Sequence, residues 1–254
     1  MGLLNRFAKL VPRRFHRRCR DFLLDWNPLA YIRRYDAELE VTLDSVLSDF
    51  GSTHPNTYFL QVGAFDGIST DPLYPLIDKH ALRGVLVEPQ RDFFDRLKSN
   101  YSRFEDSRFL FVNAAIAETD TTRPFYKVRS KAHGPEWLHG IASLDRAVLM
   151  RHRPSVQDLD SLIETESVRC VTFSSLFREL CIKHVDLLQI DAEGHDGLIL
   201  RLFDIPNRRP AIVRFEHKHL SRDDYRSCLD LLVNQGYKVS VSRTGDTLAY
   251  HADW

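Results

Sequence analysis

Apolar positions along the chain alternate between short continuous runs, which fit buried strands, and stretches where they recur every three or four residues, which fit amphipathic helices. From Ala37 to Phe50, the positions Leu39, Val41, Leu43, Val46, Leu47 and Phe50 predict a helix that Gly51 closes. Tyr58 to Val62 predicts a buried strand, with Gly63-Ala64-Phe65-Asp66-Gly67 as the turn after it. A short helix is expected from about Ser69 to Pro72 onward through Leu73, Leu76 and Ile77, since Ser or Asp can cap it and proline suits its first turn. Val85-Leu86-Val87 forms the next strand and ends in Glu88-Pro89. Arg91 to Asn100 has helical spacing through Phe93, Phe94 and Leu97, and Phe109 to Val112 is a third strand leading into Asn113-Ala114-Ala115-Ile116.

The pattern weakens over residues 119–165, a tract rich in His, Arg, Ser and Pro. Its one apolar run, Phe125 to Val128, suggests a short strand, and the tract reads as an insertion or lid over a site. Periodicity then returns. Val168 to Phe173 is expected as a short strand, Ser174 to Leu180 as a helix, and Val185 to Ile190 as a core strand followed by Asp191-Ala192-Glu193-Gly194-His195. A helix continues through Leu198, Ile199, Leu202 and Phe203. Pro210 to Phe215 is the fifth core strand and ends at Glu216-His217. After a helix over Asp223 to Asn234, two strands joined by Arg243-Thr244-Gly245-Asp246 form a hairpin. This strand-helix rhythm predicts an α/β fold with a mostly parallel sheet, right-handed crossovers and an antiparallel C-terminal edge.

Composition narrows the function classes. The 254 residues suit one sizeable core, and 35 basic side chains balance 35 acidic ones, so bulk charge does not mark a nucleic-acid binder. Residues 1–20 hold seven Lys/Arg and no acid. With Leu3, Leu4, Phe7, Leu10 and Val11 at helical spacing, this segment is either a helical extension or basic tail, or an amphipathic segment on an anionic membrane surface, although Pro12 divides it. The expected organisation is a basic helical extension over residues 1–55 and a catalytic domain over 56–254. Cys19, Cys170, Cys181 and Cys228 form no metal-ligand spacing and read as thiols of a reducing, cytoplasmic compartment. No apolar run approaches the roughly 18 residues that span a bilayer. A homodimer is compatible with the sequence.

The candidate chemistry sits at the strand exits. Gly63 and Gly67 allow a ligand close to the backbone, but the turn is too short for the GxGxxG phosphate cradle. Asp66 suits a sulfonium and ammonium ligand better than a diphosphate. Glu88, one βαβ unit on, can accept hydrogen bonds from both hydroxyls of a ribose. Asn113 either meets the adenine or supports its loop. On the other side of the sheet centre, Asp191, Glu193 and His195 leave one strand while Glu216 and His217 leave its neighbour, so they can converge. Two mechanisms fit. In one, Asp191 and Glu216, with Glu193 or His217 assisting, hold Mg2+ or Mn2+ that binds acceptor hydroxyls; in the other, His195 or His217 is a general base. His219 and Lys218 lie beside this exit, where a histidine can hydrogen-bond a sugar hydroxyl. Trp137, Tyr126 and His139 can stack on a sugar ring.

Together these strings resemble the FkbM-type methyltransferases: Val62-Gly63-Ala64-Phe65-Asp66-Gly67, Val87-Glu88-Pro89, Asn113-Ala114-Ala115-Ile116, and above all Leu188-Gln189-Ile190-Asp191-Ala192-Glu193-Gly194-His195. The resemblance runs from about Tyr58 to Tyr250. It implies a Rossmann-like class I sheet of seven strands, S-adenosylmethionine as donor, and a hydroxyl acceptor on a small molecule or glycan. Carried onto this chain, it places Gly63, Asp66 and Gly67 under the methionine part and Glu88 on the ribose; Gln61, Asn113 and Asp191 are further candidates for cofactor binding. Where a typical member has Asp-Val-Gly-Ala-Asn, this chain has Gln61-Val62-Gly63-Ala64-Phe65. Two other readings were open on sequence: a nicotinamide-dependent oxidoreductase, and a fold retained for membrane-surface or partner binding without catalysis.

Overall fold

A computed structural model describes residues 38–39, 41–129, 140–151, 156, 158–242 and 244–251, all within one compact unit that begins at Glu38. Trp137, His139 and the basic segment 1–37 lie outside the described residues. Strands β1 (Glu38–Leu39), β2 (Tyr58–Val62), β3 (Arg83–Val87), β4 (Phe109–Val112), β9 (Leu187–Ile190), β10 (Ile212–Glu216), β11 (Lys238–Val241) and β12 (Asp246–Tyr250) form one sheet in the order β1-β11-β12-β10-β9-β2-β3-β4. The seven longer strands are those read from the sequence, and β4-β3-β2-β9-β10 run parallel. Strand β12 is antiparallel to both β10 and β11.

The departures have local causes. The helix expected from Ala37 begins only at Leu43, because Thr42 caps it through its Oγ1, and Glu38–Leu39 pairs with β11 instead. This helix, α1 (Leu43–Gly51), buries Leu43, Val46, Leu47 and Phe50 against Phe59, Leu187, Ile212 and Leu248. Each such side chain contributes about 1.5–3 kcal/mol, so tertiary packing rather than intrinsic propensity holds so short a helix. The helix expected after Ser69 shrinks to one 3₁₀ turn, Tyr74–Leu76, with Pro75 in its first turn. Asp71 Oδ1 accepts from the N–H groups of Leu73 and Tyr74 there, while Leu73 and Ile77 stay fully buried.

In and around the region expected as an insertion or lid, four strands among the described residues build a second sheet. Strands β5 (Ala115–Ile116), β6 (Thr121–Val128), β7 (Ala142–Ser143) and β8 (Ile163–Val171) lie in the order β5-β8-β6-β7. Thr121 through Val128 pairs antiparallel with Cys170 back to Ile163. The two strands are longer than their apolar runs suggested, since Thr121-Thr122-Arg123-Pro124 and Glu164-Thr165-Glu166-Ser167 carry few apolar residues. Pro124 is tolerated because β7 pairs β6 only at Tyr126 and Lys127, which leaves the strand edge free at the proline. The remaining helices are α2 (Arg91–Tyr101), α3 (Arg146–Met150), α4 (Leu159–Leu162), α5 (Phe173–Glu179), α6 (Asp196–Leu202), α7 (Ile205–Arg208) and α8 (Arg222–Asn234).

At the centre of the main sheet, β2 and β9 are adjacent, and their exits touch through backbone alone. Asp191 N–H donates to Val62 carbonyl at 2.9 Å. Gly63 has φ +80°, and a Cβ on it would come within 1.8 Å of Asp191 carbonyl oxygen. Replacing Gly63 with Ala therefore combines left-handed strain with a backbone clash and costs about 3 kcal/mol or more. We expect Gly63→Ala to lower the melting temperature by roughly 6–10 °C in a calorimetric scan of the ligand-free protein. A melting temperature within about 1 °C of wild type would mean the two exits do not pack this closely.

Candidate active site

The turn after β2 is shaped by backbone hydrogen bonds and left-handed residues. Gly63 and Ala64 N–H groups donate to Val87 carbonyl at 3.0 and 3.1 Å, and Phe65 and Gly67 have φ of +50° and +74°. Glu88 leaves β3 directly beneath this turn. Its Oε2 accepts from Phe65 N–H at 2.9 Å and its Oε1 from Gln90 N–H at 2.8 Å. Burial pushes this carboxyl up to about 7. Each oxygen still has a lone pair for a further donor, the requirement for holding a vicinal diol. Asn113 braces the loop by donating through Nδ2 to the carbonyls of Glu88 and Pro89 at 2.8 and 3.0 Å.

The other turn residues divide into those that build the loop and those left with an unused group. Asp66 builds: Oδ1 accepts from Ile68 and Ser69 N–H, Oδ2 from Ser69 Oγ, and its carbonyl from Asn100 Nδ2. Phe65, where the related motif has Asn, lies against Phe93 with ring centroids 3.9 Å apart. Gln61 is 2% exposed; its Nε2 donates to Asp71 Oδ2 at 3.1 Å, and its Oε1 is buried with no hydrogen-bond partner. Gln61, Gln189 and Arg214 are register partners across β2, β9 and β10. Arg214 reaches Gln189 Oε1 at 3.2 Å and Asp246 at 3.0 Å, which makes a polar row one step inside the strand ends.

Across the junction of β2 and β9, the turn from β9 to α6 has Glu193 at φ +47° and Gly194 at +93°. Asp196, fully buried and not singled out by sequence reasoning, organises it. Its Oδ1 accepts from Ala192 and Glu216 N–H, each at 3.3 Å, and Oδ2 from Gly194 N–H at 3.1 Å, so one carboxylate ties both strand exits together. Burial pushes it up to about 6.

Asp191, Glu193 and Glu216 gather above it. Burial, with the charges of its neighbours Glu216 and Asp196, holds Asp191 well above the carboxylate range. Burial and Asp191 push Glu193 up to about 7, and burial and Glu193 raise Glu216. Lys218 forms an ion pair with Glu216 Oε1. Burial opposes its charge, but Glu216, Glu193 and Asp191 outweigh that and hold the ammonium above its ordinary value. His219 Nε2 lies 3.3 Å from Glu193 Oε2 and 3.6 Å from Glu216 Oε2.

One ligand atom each from Glu193, Glu216 and His219 lies within 4.8 Å of the others, the spacing a metal ion needs. Of the residues expected to hold a metal, Glu216 and the assisting Glu193 are in this group, while Asp191 adjoins it electrostatically. His217 is not in it. Successive residues at a strand end point to opposite faces, and His217 turns inward, 2% exposed, with Nδ1 2.9 Å from Thr247 Oγ1 and its ring 4.6 Å from Tyr225. Burial pushes its imidazole down to about 3. His195 is apart as well: its Nδ1 meets Ser143 Oγ of the second sheet at 2.9 Å, and burial lowers its imidazole. The signal that would have favoured His219 over His217 is strand alternation from Glu216, followed by a turn.

Comparison with known proteins gives one decisive result. Residues 61–239 match the family described as the methyltransferase FkbM domain. No curated protein sequence matches significantly. Among solved structures, a methyltransferase FkbM from Methylobacillus flagellatus KT shares 14% identity over 78% of this chain, with a TM-score of 0.48. The chain spans 44% of that protein's length. An O-methyltransferase from Bacillus cereus, crystallised with SAH, shares 13% identity, with 97% of this chain and 96% of that chain covered and a TM-score of 0.41. Among the described residues no helix is long and apolar enough to cross a membrane. With its glycine turn, its buried Glu88 and a family match over most of its length, the chain belongs to the FkbM methyltransferase family.

Proposed function

We propose that the chain transfers a methyl group from S-adenosylmethionine to a hydroxyl oxygen of a small molecule or glycan, and that a divalent cation assists at the acceptor side. The carrying observation is that the exit of Asp191, whose carboxyl adjoins those of Glu193 and Glu216, meets the glycine turn through backbone, by the Asp191–Val62 hydrogen bond and the close approach to Gly63. The cofactor supplies a methyl carbon made electrophilic by the sulfonium charge. Glu88 has the free lone pairs for its ribose, and the orphaned Gln61 Oε1 has the capacity to accept from its methionine ammonium. Asp66 and Asn113 serve the site by holding the loop.

For the cation, the fit rests on charge and on an unused atom. Were Asp191, Glu193 and Glu216 all ionised, the one Lys218 ammonium would leave two negative charges for a cation to offset, and Glu216 Oε2 is buried without a hydrogen bond. Mg2+ or Mn2+ held by Glu193, Glu216 and His219 would supply Lewis acidity that lowers the acceptor hydroxyl's pKa. Without a bound cation, Glu193, raised to about 7, is instead suited to take the hydroxyl proton near neutral pH.

Titration calorimetry with S-adenosylhomocysteine checks the cofactor half. Glu88→Gln should weaken binding at least about tenfold, since a charge-assisted acceptor is worth about 1.5–3 kcal/mol; equal affinities would remove Glu88 from the ribose role. For the cation, Mn2+ titration followed by electron paramagnetic resonance should show one bound ion that Glu216→Gln loses. Equal Mn2+ binding by both proteins would rule this site out.

The raised carboxyls also set a pH dependence with a definite sign. Glu88 and Glu193 titrate near 7 in the folded protein against an ordinary 4.5, so the folded state holds protons the unfolded chain has released. Their contribution to stability is present at low pH and is lost as pH rises from about 4.5 through 7. The metal-free, cofactor-free protein should melt several degrees lower at pH 8 than at pH 5.5, and Glu193→Gln should flatten that slope. A melting temperature that climbs over this interval would contradict the burial of these groups.

A further inference from the structure

The second sheet reaches the acceptor side at two points. Ser143, at the end of β7 and 2% exposed, places its Oγ 2.9 Å from His195 Nδ1. Farther along, Arg151 Nη1 donates to His219 carbonyl at 2.9 Å. Between them, α3 brings Val148 Cγ1 to 3.6 Å from where a side chain on Gly194 would begin. Both turns that carry the carboxylate cluster are thus gripped by residues 142–151.

The Ser143 contact fixes where a proton lies. A hydroxyl has one proton to donate and two lone pairs to fill. Ser143 Oγ accepts from Asp145 N–H at 3.3 Å, and among the described residues its other hydrogen-bond neighbour is His195 Nδ1. If Nδ1 carried a proton it would donate to Oγ, and the buried hydroxyl proton would have no acceptor. A buried donor left unmade is costly, whereas the opposite arrangement satisfies both groups. We infer that Ser143 is a positioning residue that holds His195 in the tautomer with a bare Nδ1 and a protonated Nε2, so that His195 offers a hydrogen-bond donor and not a basic nitrogen. Nε2 has no hydrogen-bond partner among the described residues, which leaves that donor for a ligand oxygen. A general-base role for His195, open on sequence, is thereby replaced, and removal of the acceptor proton falls to the carboxylates.

The tautomer does not depend on the methyltransferase reading, so its test stands apart from that of the function. The full chain, labelled with 15N in its histidines, is studied by two-bond 1H–15N correlation at pH 7.5, with the His195 signals assigned by their absence in His195→Gln. The expected pattern is an unprotonated Nδ1 and a protonated Nε2. Ser143→Ala should shift His195 measurably toward the Nδ1–H form, and Ser143→Thr, which keeps the hydroxyl, should restore the wild-type pattern. A protonated Nδ1 in the wild type, or a His195 spectrum unmoved by Ser143→Ala, overturns the inference. If Ser143→Ala fails to fold, the wild-type spectrum alone decides between the two tautomers.

Discussion

The contact between two strand exits, made without any side chain, governs where everything else can stand. Because Gly63 has no Cβ, the carbonyl of Asp191 can lie against it, and Asp191 N–H closes the pair through Val62 carbonyl. The turn after β2 and the turn after β9 are then neighbours by backbone geometry. Glu88 approaches from one side of this junction and Glu216 from the other. A methyl carbon travels only a short way in such a transfer, so fixed spacing between the two turns is worth more than any single contact within either.

The acceptor side stores electrostatic cost that the fold must offset. Asp191, Glu193, Asp196 and Glu216 are all raised by burial. Asp196 recovers part of that cost by accepting three backbone N–H groups, and Lys218 recovers part by pairing with Glu216. The other carboxylates keep unspent capacity, which suits a site built to receive a cation or a hydroxyl-rich acceptor. Inverting that arrangement, a well-packed apolar cluster would be more stable there and chemically inert.

Much of this was legible in the sequence because strand exits announce themselves. Gly63, Gly67 and Glu88 follow strong apolar runs, and one βαβ spacing relates them. Asp191 through His195 follows the clearest run of all. What the sequence concealed depends on orientation and on weak patterns. His217 and His219 have the same chemistry, and only the alternation at the end of β10 turns one inward and the other toward Glu193. Asp196 looked like an ordinary first-turn acid of a helix, since nothing local reveals that its carboxylate spans two strand exits. Strands β6 and β8 were cut short because Pro124 and the Glu-Thr-Glu stretch dilute their apolar signal, and with them the second sheet and the Ser143 contact were lost from view.

The C-terminal hairpin carries a consequence for how the protein is made. Gly245 carbonyl accepts from His217 and Lys218 N–H at 2.7 and 3.2 Å, and β12 wedges between β10 and β11. A chain synthesised from its N-terminus contains Glu88 and the Phe65 and Gln90 N–H groups that hold it long before residue 245 exists. The loop bearing Lys218 and His219 gains its final anchor only when the last strand slides into the sheet. The loop that carries Lys218 and His219 is therefore the part of the strand-exit cluster that is completed last as the chain is made.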